Sequence, residues 1–217
     1  MKYKTAIFDM DGTILNTLDD LTDSCNHILE KNGMPLHTID EIRFFVGNGI
    51  PKLIERAVPA GTKAETQQKI LAEFSEYYAA HSAEKTKPYP GIPELLQKLR
   101  RNGVATAVNT NKTESAAKVL CEDYFPGLFD FVSGGRPGVP KKPAPDGIYE
   151  IIRAMNADPA ETVFIGDSDV DLQTGTNAGL NVIGVDWGFR GKKFLEEHGA
   201  KTVASDTDEL FRLICGR

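Results

Sequence analysis

The feature that most constrains the fold is an apolar run near the start of the chain that ends in two aspartates. Residues 4–13 read Lys-Thr-Ala-Ile-Phe-Asp-Met-Asp-Gly-Thr, and Ile7 and Phe8 indicate a buried strand. Side chains two residues apart on an extended segment point the same way, so Asp9 and Asp11 lie together at its carboxyl end. Carboxylates held that close stay ionised only beside a cation or strong hydrogen-bond donors. Because open α/β sheets bind ligands at this end, the segment predicts a metal-assisted acidic site.

Two other interpretations of this segment are a hairpin turn and a dinucleotide fold. Asp11 and Gly12 could close a β-hairpin, in which case both aspartates would be solvated turn residues. A dinucleotide-binding fold needs G-x-G-x-x-G after the strand, and this pattern is absent here. The hairpin stays open at this point, and the dinucleotide fold is disfavoured.

Size and composition favour a globular protein that binds a small molecule. The chain has 217 residues, enough for one α/β domain with a small insert or for two modest domains. Its formal net charge is −6 without a run of Lys or Arg, so nucleic acid and anionic membrane surfaces are not expected partners. Three dispersed cysteines favour free thiols in a reducing cytosol, and the early strand leaves no room for a signal peptide. We therefore expect a cytoplasmic monomer or homodimer.

Strand-like runs alternate with helical patterns along most of the chain. The further strand-like runs are residues 104–110, 129–133, 162–167 and 181–186. Apolar residues at helical spacing lie between them, for example Leu95, Leu96 and Leu99. Strands that alternate with helices imply βαβ units, so the sequence predicts an α/β fold with a parallel sheet.

Residues 18–84 break this alternation because they show only helical periodicity. Three apolar stripes carry it: Leu21, Cys25, Ile28 and Leu29; Ile50, Leu53, Ile54 and Ala57; and Ile70, Phe74, Tyr77 and Tyr78. Residues 87–91 (Lys-Pro-Tyr-Pro-Gly) indicate a linker that returns to the sheet. The sequence therefore predicts a helical insert, residues 16–84, in a core made of residues 1–15 and 85–217.

Three of the predicted strands end in polar residues that a purely structural sheet would not need. These ends are Asp9 and Asp11, Thr110 to Lys112, and Gly166 to Asp171. The loop of residues 134–145, rich in Gly and Pro, adds the lysine pair Lys141 and Lys142. Because parallel strands end at one edge of a sheet, carboxylates, a hydroxyl and a lysine would meet there. This set suits phosphoryl transfer assisted by Mg²⁺, which prefers hard oxygen ligands.

The same segments resemble, in order, four motifs of the haloacid dehalogenase superfamily of phosphatases, and within it the phosphoglycolate phosphatase-like branch. They are D-M-D-G-T at residues 9–13, Thr110 with Asn111 and Lys112, Lys142 in K-P-A-P-D, and G-D-S-D-V-D at residues 166–171. One such motif alone is weak, whereas four in order at matching strand ends are specific. The resemblance spans the whole chain. It implies a doubly wound parallel sheet in a Rossmann-like, three-layer core, with an inserted all-helical cap domain.

The resemblance also implies a role for each acidic residue. Asp9 would attack phosphorus and form an aspartyl-phosphate. Asp11 would protonate the leaving alkoxide and then deprotonate the hydrolytic water. Mg²⁺ would be held by the Asp9 carboxylate, the Asp11 backbone carbonyl and the Asp167 carboxylate. Asp171 would orient metal-bound water from outside the coordination sphere.

The remaining motif residues would bind the phosphoryl group or support the site. Its oxygens would contact the Thr110 hydroxyl and nearby backbone N–H groups. These backbone groups belong to Met10, Asp11 and Asn111. Lys142 would screen Asp9 from the incoming phosphate, with Lys141 as the alternative if the register is shifted by one. Thr13 would support the turn of the first motif by hydrogen bonding.

Residues 43–49 (Arg-Phe-Phe-Val-Gly-Asn-Gly) resemble the substrate-facing loop of phosphoglycolate phosphatases. Arg43 would meet a substrate carboxylate, and Gly47 would let the backbone approach the ligand. An ordinary turn between helices, with a surface arginine, is the alternative. Asp11 favours phosphate-ester chemistry over the dehalogenases and phosphonatases that lack it. Leu21 stands where the superfamily's β-phosphoglucomutases have a histidine, which argues against a mutase.

The resemblance therefore implies a Mg²⁺-dependent phosphomonoesterase that acts on a small phosphorylated metabolite, with 2-phosphoglycolate as one candidate substrate. The same site would also suit pyrophosphate, a sugar phosphate or a nucleotide. A non-catalytic phosphate-binding protein is the alternative from another class. It is disfavoured because a binding module does not need an acid two residues after a nucleophile.

Overall fold

A computed structural model describes residues 2–216, in which a six-stranded parallel sheet carries most of the predicted motifs. The strands are β1 (Thr5–Phe8), β2 (Leu15–Asn16), β3 (Lys87–Pro88), β4 (Ala105–Thr113), β5 (Phe131–Gly135), β6 (Thr162–Gly166), β7 (Asn181–Val185) and β8 (Val203–Ala204). The helices are α1 (Leu18–Lys31), α2 (Ile39–Phe45), α3 (Ile50–Ala57), α4 (Ala64–His81), α5 (Ile92–Arg101), α6 (Glu114–Tyr124), α7 (Asp146–Met155), α8 (Asp169–Asn177), α9 (Lys192–Glu197) and α10 (Thr207–Cys215). A 3₁₀ turn, Pro159–Glu161, precedes β6.

The sheet has the strand order β5-β4-β1-β6-β7-β8. On its two sides, β1 pairs in parallel with β4 and β6, with Phe8 opposite Val108 and Ile165. This arrangement confirms the predicted α/β class and shows that the hairpin interpretation is wrong, because β1 has parallel neighbours. β1 therefore delivers the first motif to the middle of the carboxyl edge of the sheet.

The core fills both faces of the sheet. Ala6 and Phe8 pack on one face among residues of α5, α6 and α10, whereas Ile7 packs on the other with Ile148 and Ile151 of α7. Successive residues of an extended strand point to opposite faces, so β1, buried throughout, contributes to both layers. Helices on both faces make the sheet doubly wound, as predicted.

The chain divides into two compact units. Met1–Leu15 with Pro88–Arg217 forms the sheet-containing unit, and Asn16–Lys87 forms the second unit, which contains α1 to α4. The second unit buries the predicted apolar stripes at most positions, including Cys25, Leu53 and Phe74. Its α1 also carries a buried carboxylate, Asp20, which accepts from the amide of Thr86 at 2.8 Å.

Several elements differ from the sequence-based expectations. β4 continues to Thr113, so residues 110–112 belong to the strand instead of following it. β8 and α10 lie in residues for which no element was predicted. All three cysteines are buried and free, as expected. Among residues 2–216, no helix is both long and apolar enough to cross a membrane.

Candidate active site

The two aspartates of the first motif lie in a tight turn directly after β1. The Asp9 amide donates to a β6 carbonyl at 2.8 Å, which keeps the chain aligned with that strand for one more residue. The Met10 carbonyl accepts from the amides of residues 13–15 at 3.0 to 3.2 Å, and its side chain is buried in the core. Gly12 has φ of +89°, a conformation that glycine adopts without a Cβ penalty. The turn thus holds Asp9 and Asp11 at the carboxyl edge of the sheet.

Asp171 is fixed by the residue that begins α8. The Ser168 hydroxyl and amide donate to Asp171 Oδ2 at 2.6 and 3.1 Å, which forms a reciprocal cap at the start of the helix. Gly166 ends β6, and a Cβ there would overlap the Asp171 side chain. The other oxygen, Asp171 Oδ1, lies 2.7 Å from Lys142 Nζ. This carboxylate is therefore locked in one orientation.

Asp167 is held from two separate parts of the chain. The Thr13 hydroxyl donates to Oδ1 at 3.0 Å, and the Phe189 amide donates to Oδ2 at 2.8 Å. A Cβ on either Gly12 or Gly188 would overlap this side chain, so only glycine allows the close approach. The Thr13 amide donates to Met10 within its own turn, as predicted, whereas its side chain contacts Asp167. No pattern in the sequence indicates that the loop after β7 would supply the Phe189 amide to Asp167.

Lys142 connects two of the carboxylates. Its Nζ lies 2.7 Å from both Asp9 Oδ1 and Asp171 Oδ1, and its side chain is almost fully buried. Asn111 holds the backbone of this lysine, because Asn111 Oδ1 accepts from the Lys142 amide at 2.8 Å and Nδ2 donates to its carbonyl at 3.3 Å. Lys141, the alternative, is exposed. Lys142 is therefore the lysine that the fold brings to the acidic cluster.

Thr110 and Lys112 lie in the irregular end of β4. The Thr110 hydroxyl is buried and accepts from the Lys112 amide at 3.2 Å. Lys112 Nζ lies 3.0 Å from Asp11 Oδ1, in a contact between residues 101 positions apart. The sequence places Lys112 in a motif but gives no indication of its role, because its partner Asp11 is distant in the chain.

Burial and neighbouring charges shift the pKa values of three groups in the site. Burial and then the charge of Asp171 raise the pKa of Asp9 well above its usual range, against the opposing effect of Lys142. Burial and then Asp171 also raise the pKa of Asp167 to about 7. Burial opposes the charge of Lys142, but Asp171 and Asp9 together outweigh it and raise the pKa of this lysine. The acidic groups are thus only partly neutralised by the lysine.

The cluster fits a hard divalent cation. One carboxylate oxygen from each of Asp9, Asp167 and Asp171 lies within 4.8 Å of the others, and all three residues are buried. The site gathers four aspartates, Asp9, Asp11, Asp167 and Asp171, around two lysines, Lys112 and Lys142, so its acidic groups outnumber its basic groups by two. Mg²⁺ carries two positive charges and prefers oxygen ligands. The excess of acidic groups and the oxygen ligands of the cluster therefore both suit Mg²⁺.

The predicted substrate-facing residues Arg43 and Gly47 lie in the second unit. Arg43, at the end of α2, pairs with Asp40 at 3.4 Å. Gly47 follows in the loop before α3 with φ of +119°. The loop is braced by Arg56, whose guanidinium donates to the Phe45 carbonyl at 2.8 Å. The substrate-binding roles of Arg43 and Gly47 stay predictions.

Two curated relatives of this chain are phosphoglycolate phosphatases. The chain is 31% identical over 220 residues to the phosphoglycolate phosphatase of Pseudomonas savastanoi pv. phaseolicola, which covers 98% of this chain and 79% of that protein. It is 33% identical over 218 residues to the phosphoglycolate phosphatase of Mesorhizobium japonicum, which covers 97% and 94% of the two chains.

A solved structure agrees with these relatives. A candidate phosphoglycolate phosphatase from Lactobacillus delbrueckii subsp. bulgaricus has a TM-score of 0.96 and 38% identity over 100% of both chains. The model of the haloacid dehalogenase-like hydrolase family matches residues 6–185, a range that contains all four motifs. On this match and these relatives, the chain belongs to the haloacid dehalogenase-like hydrolase family.

Proposed function

We propose that this chain, a phosphoric monoester hydrolase by its family and relatives, hydrolyses small phosphorylated metabolites with Mg²⁺ through an aspartyl-phosphate, and that 2-phosphoglycolate is a substrate. The observation that carries the proposal is the set of buried carboxylates of Asp9, Asp167 and Asp171 beside Lys142. A site that only bound phosphate would gain nothing from this many negative charges, because they repel the ligand.

In the first half of the proposed reaction, Asp9 acts as the nucleophile. A carboxylate oxygen of Asp9 forms a bond to phosphorus as the bond from phosphorus to the leaving oxygen breaks. Asp11 supplies the proton that this oxygen takes up. Lys142 keeps Asp9 from repelling the phosphoryl group, since its ammonium lies 2.7 Å from Asp9 Oδ1.

In the second half, water breaks the aspartyl-phosphate. Asp11, now ionised, takes one proton from the water as its oxygen bonds to phosphorus, and Asp9 leaves as a carboxylate. The products are phosphate and a protonated Asp11, so the site returns to its starting form. The Thr110 hydroxyl and the backbone amides of Met10, Asp11 and Asn111 would bind the phosphoryl oxygens throughout.

Mg²⁺, when bound, would be held by the carboxylates of Asp9 and Asp167 and the backbone carbonyl of Asp11, and it would offset negative charge on the phosphoryl oxygens. Asp171 would stay outside the coordination sphere. Both of its oxygens are already engaged, one by Lys142 and the other by Ser168. Its proposed task is to orient Lys142 and water in the site.

The proposal is tested by measuring phosphate release from a chromogenic aryl phosphate and from a panel of phosphorylated metabolites. We expect turnover with Mg²⁺, loss of turnover with EDTA, and poor recovery with Ca²⁺, whose longer and looser coordination misplaces the Asp9 oxygen. The panel includes 2-phosphoglycolate, pyrophosphate, sugar phosphates and nucleotides. Undiminished turnover in EDTA would refute the metal requirement, and binding of phosphate esters without any turnover would identify a binding protein.

The pKa of Asp167 predicts how Mg²⁺ stabilises the protein at different pH. The pKa is about 7 in the folded metal-free protein and about 4 when unfolded, so stability is lost as the pH rises between these values. Mg²⁺ competes with the proton at this carboxylate. We therefore expect Mg²⁺ to raise the unfolding temperature more at about pH 8 than at about pH 5.5, as measured by calorimetry.

In the Asp167→Asn variant the Mg²⁺ shift should be small at both pH values, because the titrating ligand is gone. A shift in the unmodified protein that is equal at both pH values, or larger at the lower one, would contradict the assignment of Asp167 to the metal.

We also propose that the second unit, Asn16–Lys87, acts as a cap that sets substrate choice. The support is its place in the chain, inserted six residues after Asp9. Gly47→Val should raise KM for 2-phosphoglycolate about tenfold, or ~1.4 kcal/mol of binding, and change KM for a small aryl phosphate less than about twofold. Steady-state kinetics on both substrates checks this.

Gly61→Val is the matched control, because Gly61 also has a positive φ, of +83°, in a loop of the same unit and faces open space. The control should leave both KM values unchanged. Arg43→Ala should act in the same direction as Gly47→Val. Equal effects of Gly47→Val on the two substrates would show that this loop supports the fold and not substrate choice.

A further inference from the structure

Lys112 is a buried cation that the mechanism above does not use. Only 4% of its side chain is exposed, and its Nζ lies 3.0 Å from Asp11 Oδ1, whose side chain is 18% exposed. Burying an ammonium group is costly unless a carboxylate compensates it closely. An ion pair this enclosed therefore fixes the position of both side chains more strongly than a surface pair would.

The backbone of β4 explains why Lys112 reaches this place. Asn109 pairs with Ser133 and Thr113 pairs with Gly135, so four steps along β4 match two steps along β5. Extra residues in one strand locally break the ladder and re-aim the side chains. The Thr110 hydroxyl accepts from the Lys112 amide within this irregular segment. This irregularity in the sheet therefore sets the direction of the side chains of residues 110–112.

The two buried lysines serve different carboxylates. Lys142 contacts Asp9 and Asp171, which belong to the predicted nucleophile and metal cluster. Lys112 contacts Asp11, the predicted acid and base. With Oδ1 held by Lys112, Asp11 would use Oδ2 to give a proton to the leaving oxygen in one step and to take a proton from water in the next. Without a fixed partner, its side chain would rotate among several staggered conformations, of which one serves proton transfer.

We propose that Lys112 is a positioning residue that holds the Asp11 side chain in the conformation required for proton transfer. The inference rests on the proposed function, because it assigns to Lys112 an effect that acts through Asp11. This role of Lys112 differs from two others. A lysine that binds the phosphoryl group directly would act without Asp11, and a lysine that only stabilises the fold would affect every variant alike.

A double-mutant cycle separates these roles. The variants are Lys112→Met, Asp11→Asn and the double variant, assayed with an aryl phosphate so that residual turnover stays measurable. We expect Lys112→Met to lower kcat about 30-fold with KM changed less than about threefold, and Asp11→Asn to lower kcat about 10² to 10⁴-fold. The double variant should lie within about twofold of Asp11→Asn, since Lys112 then has no carboxylate to position.

Two outcomes would overturn the proposal. If Lys112→Met lowers kcat by the same factor with and without Asp11, the lysine acts on its own. If its main effect is a rise in KM, it binds substrate. Lys118→Met is the matched control, because Lys118 is exposed on α6 in a surface pair with Glu114, and it should leave kcat unchanged. If Lys112→Met does not fold, as judged by its unfolding temperature, Lys112→Gln enters the same cycle.

The Asp9→Asn variant, purified in the same way, gives the background rate. If the unmodified protein does not exceed this background with any substrate of the panel, the proposed function fails. If it does and the cycle is multiplicative, only the role of Lys112 fails.

Discussion

We expect the Asp9→Asn variant to lose turnover by at least about 10⁴-fold while keeping its fold. An amide oxygen is too weak a nucleophile to attack phosphorus. The metal-free variant should unfold at the same temperature as the unmodified protein or at a higher one. Burial and Asp171 disfavour the charge of Asp9 by more than Lys142 favours it.

Asp169→Asn is the matched control for this experiment. Asp169 lies in the same acidic segment, between Asp167 and Asp171, but is half-exposed at the first residue of α8 and outside the carboxylate cluster. Its replacement should change kcat less than about threefold, since only a helix-terminus charge is lost. Turnover of Asp9→Asn within about tenfold of the unmodified protein, ~1.4 kcal/mol in the barrier, would refute covalent catalysis by Asp9.

The second large effect is expected for Lys142→Met. The variant leaves Asp9 and Asp171 buried without the ammonium that lies 2.7 Å from each. Removing one partner of a buried ion pair costs about 3–5 kcal/mol, so we expect a loss of this order in the free energy of unfolding without metal. Turnover should fall by at least about 10³-fold because Asp9 then repels the phosphoryl group. Urea unfolding in EDTA and steady-state kinetics measure the two effects.

Lys141→Met provides a neighbouring comparison. Lys141 is exposed one residue earlier in the same loop, and its replacement should change stability by less than about 0.5 kcal/mol. If both lysine variants behave alike, the loop as a whole and not the buried ammonium supports the site. If Lys142→Met keeps full stability, the raised pKa of Lys142 has no energetic basis in these contacts.

The elements that the sequence predicted best are those with local periodicity. β1 follows from its apolar run, and the buried stripe of α1 follows from the spacing of Leu21, Cys25 and Ile28. β8 has only two residues, Val203–Ala204, and depends on its pairing with β7, so no local pattern indicates it. Such a short strand forms because a neighbouring strand pairs with it, and the sequence does not show which strands pair.

The same limit applies to the site. Asp9 and Asp171 could be predicted because parallel strands end at one edge, and Lys142 could be predicted from the family motif; the structure brings the three together. The contacts that hold the site carboxylates in place could not be predicted. Thr13 and Asp167 are 154 positions apart. The Phe189 amide, which also holds Asp167, is a backbone group and leaves no signature in residue type.

Rapid acid quenching of the reaction shows whether Asp9 forms a covalent intermediate. The protein is mixed with substrate and Mg²⁺, quenched within one turnover, digested and analysed by mass spectrometry. We predict a phosphoryl group on the peptide that contains Asp9, lost on treatment with hydroxylamine as expected of an acyl phosphate, and absent both in EDTA and in Asp9→Asn. A phosphoryl group on any other residue, or a burst of product with this peptide unmodified, would refute covalent catalysis by Asp9.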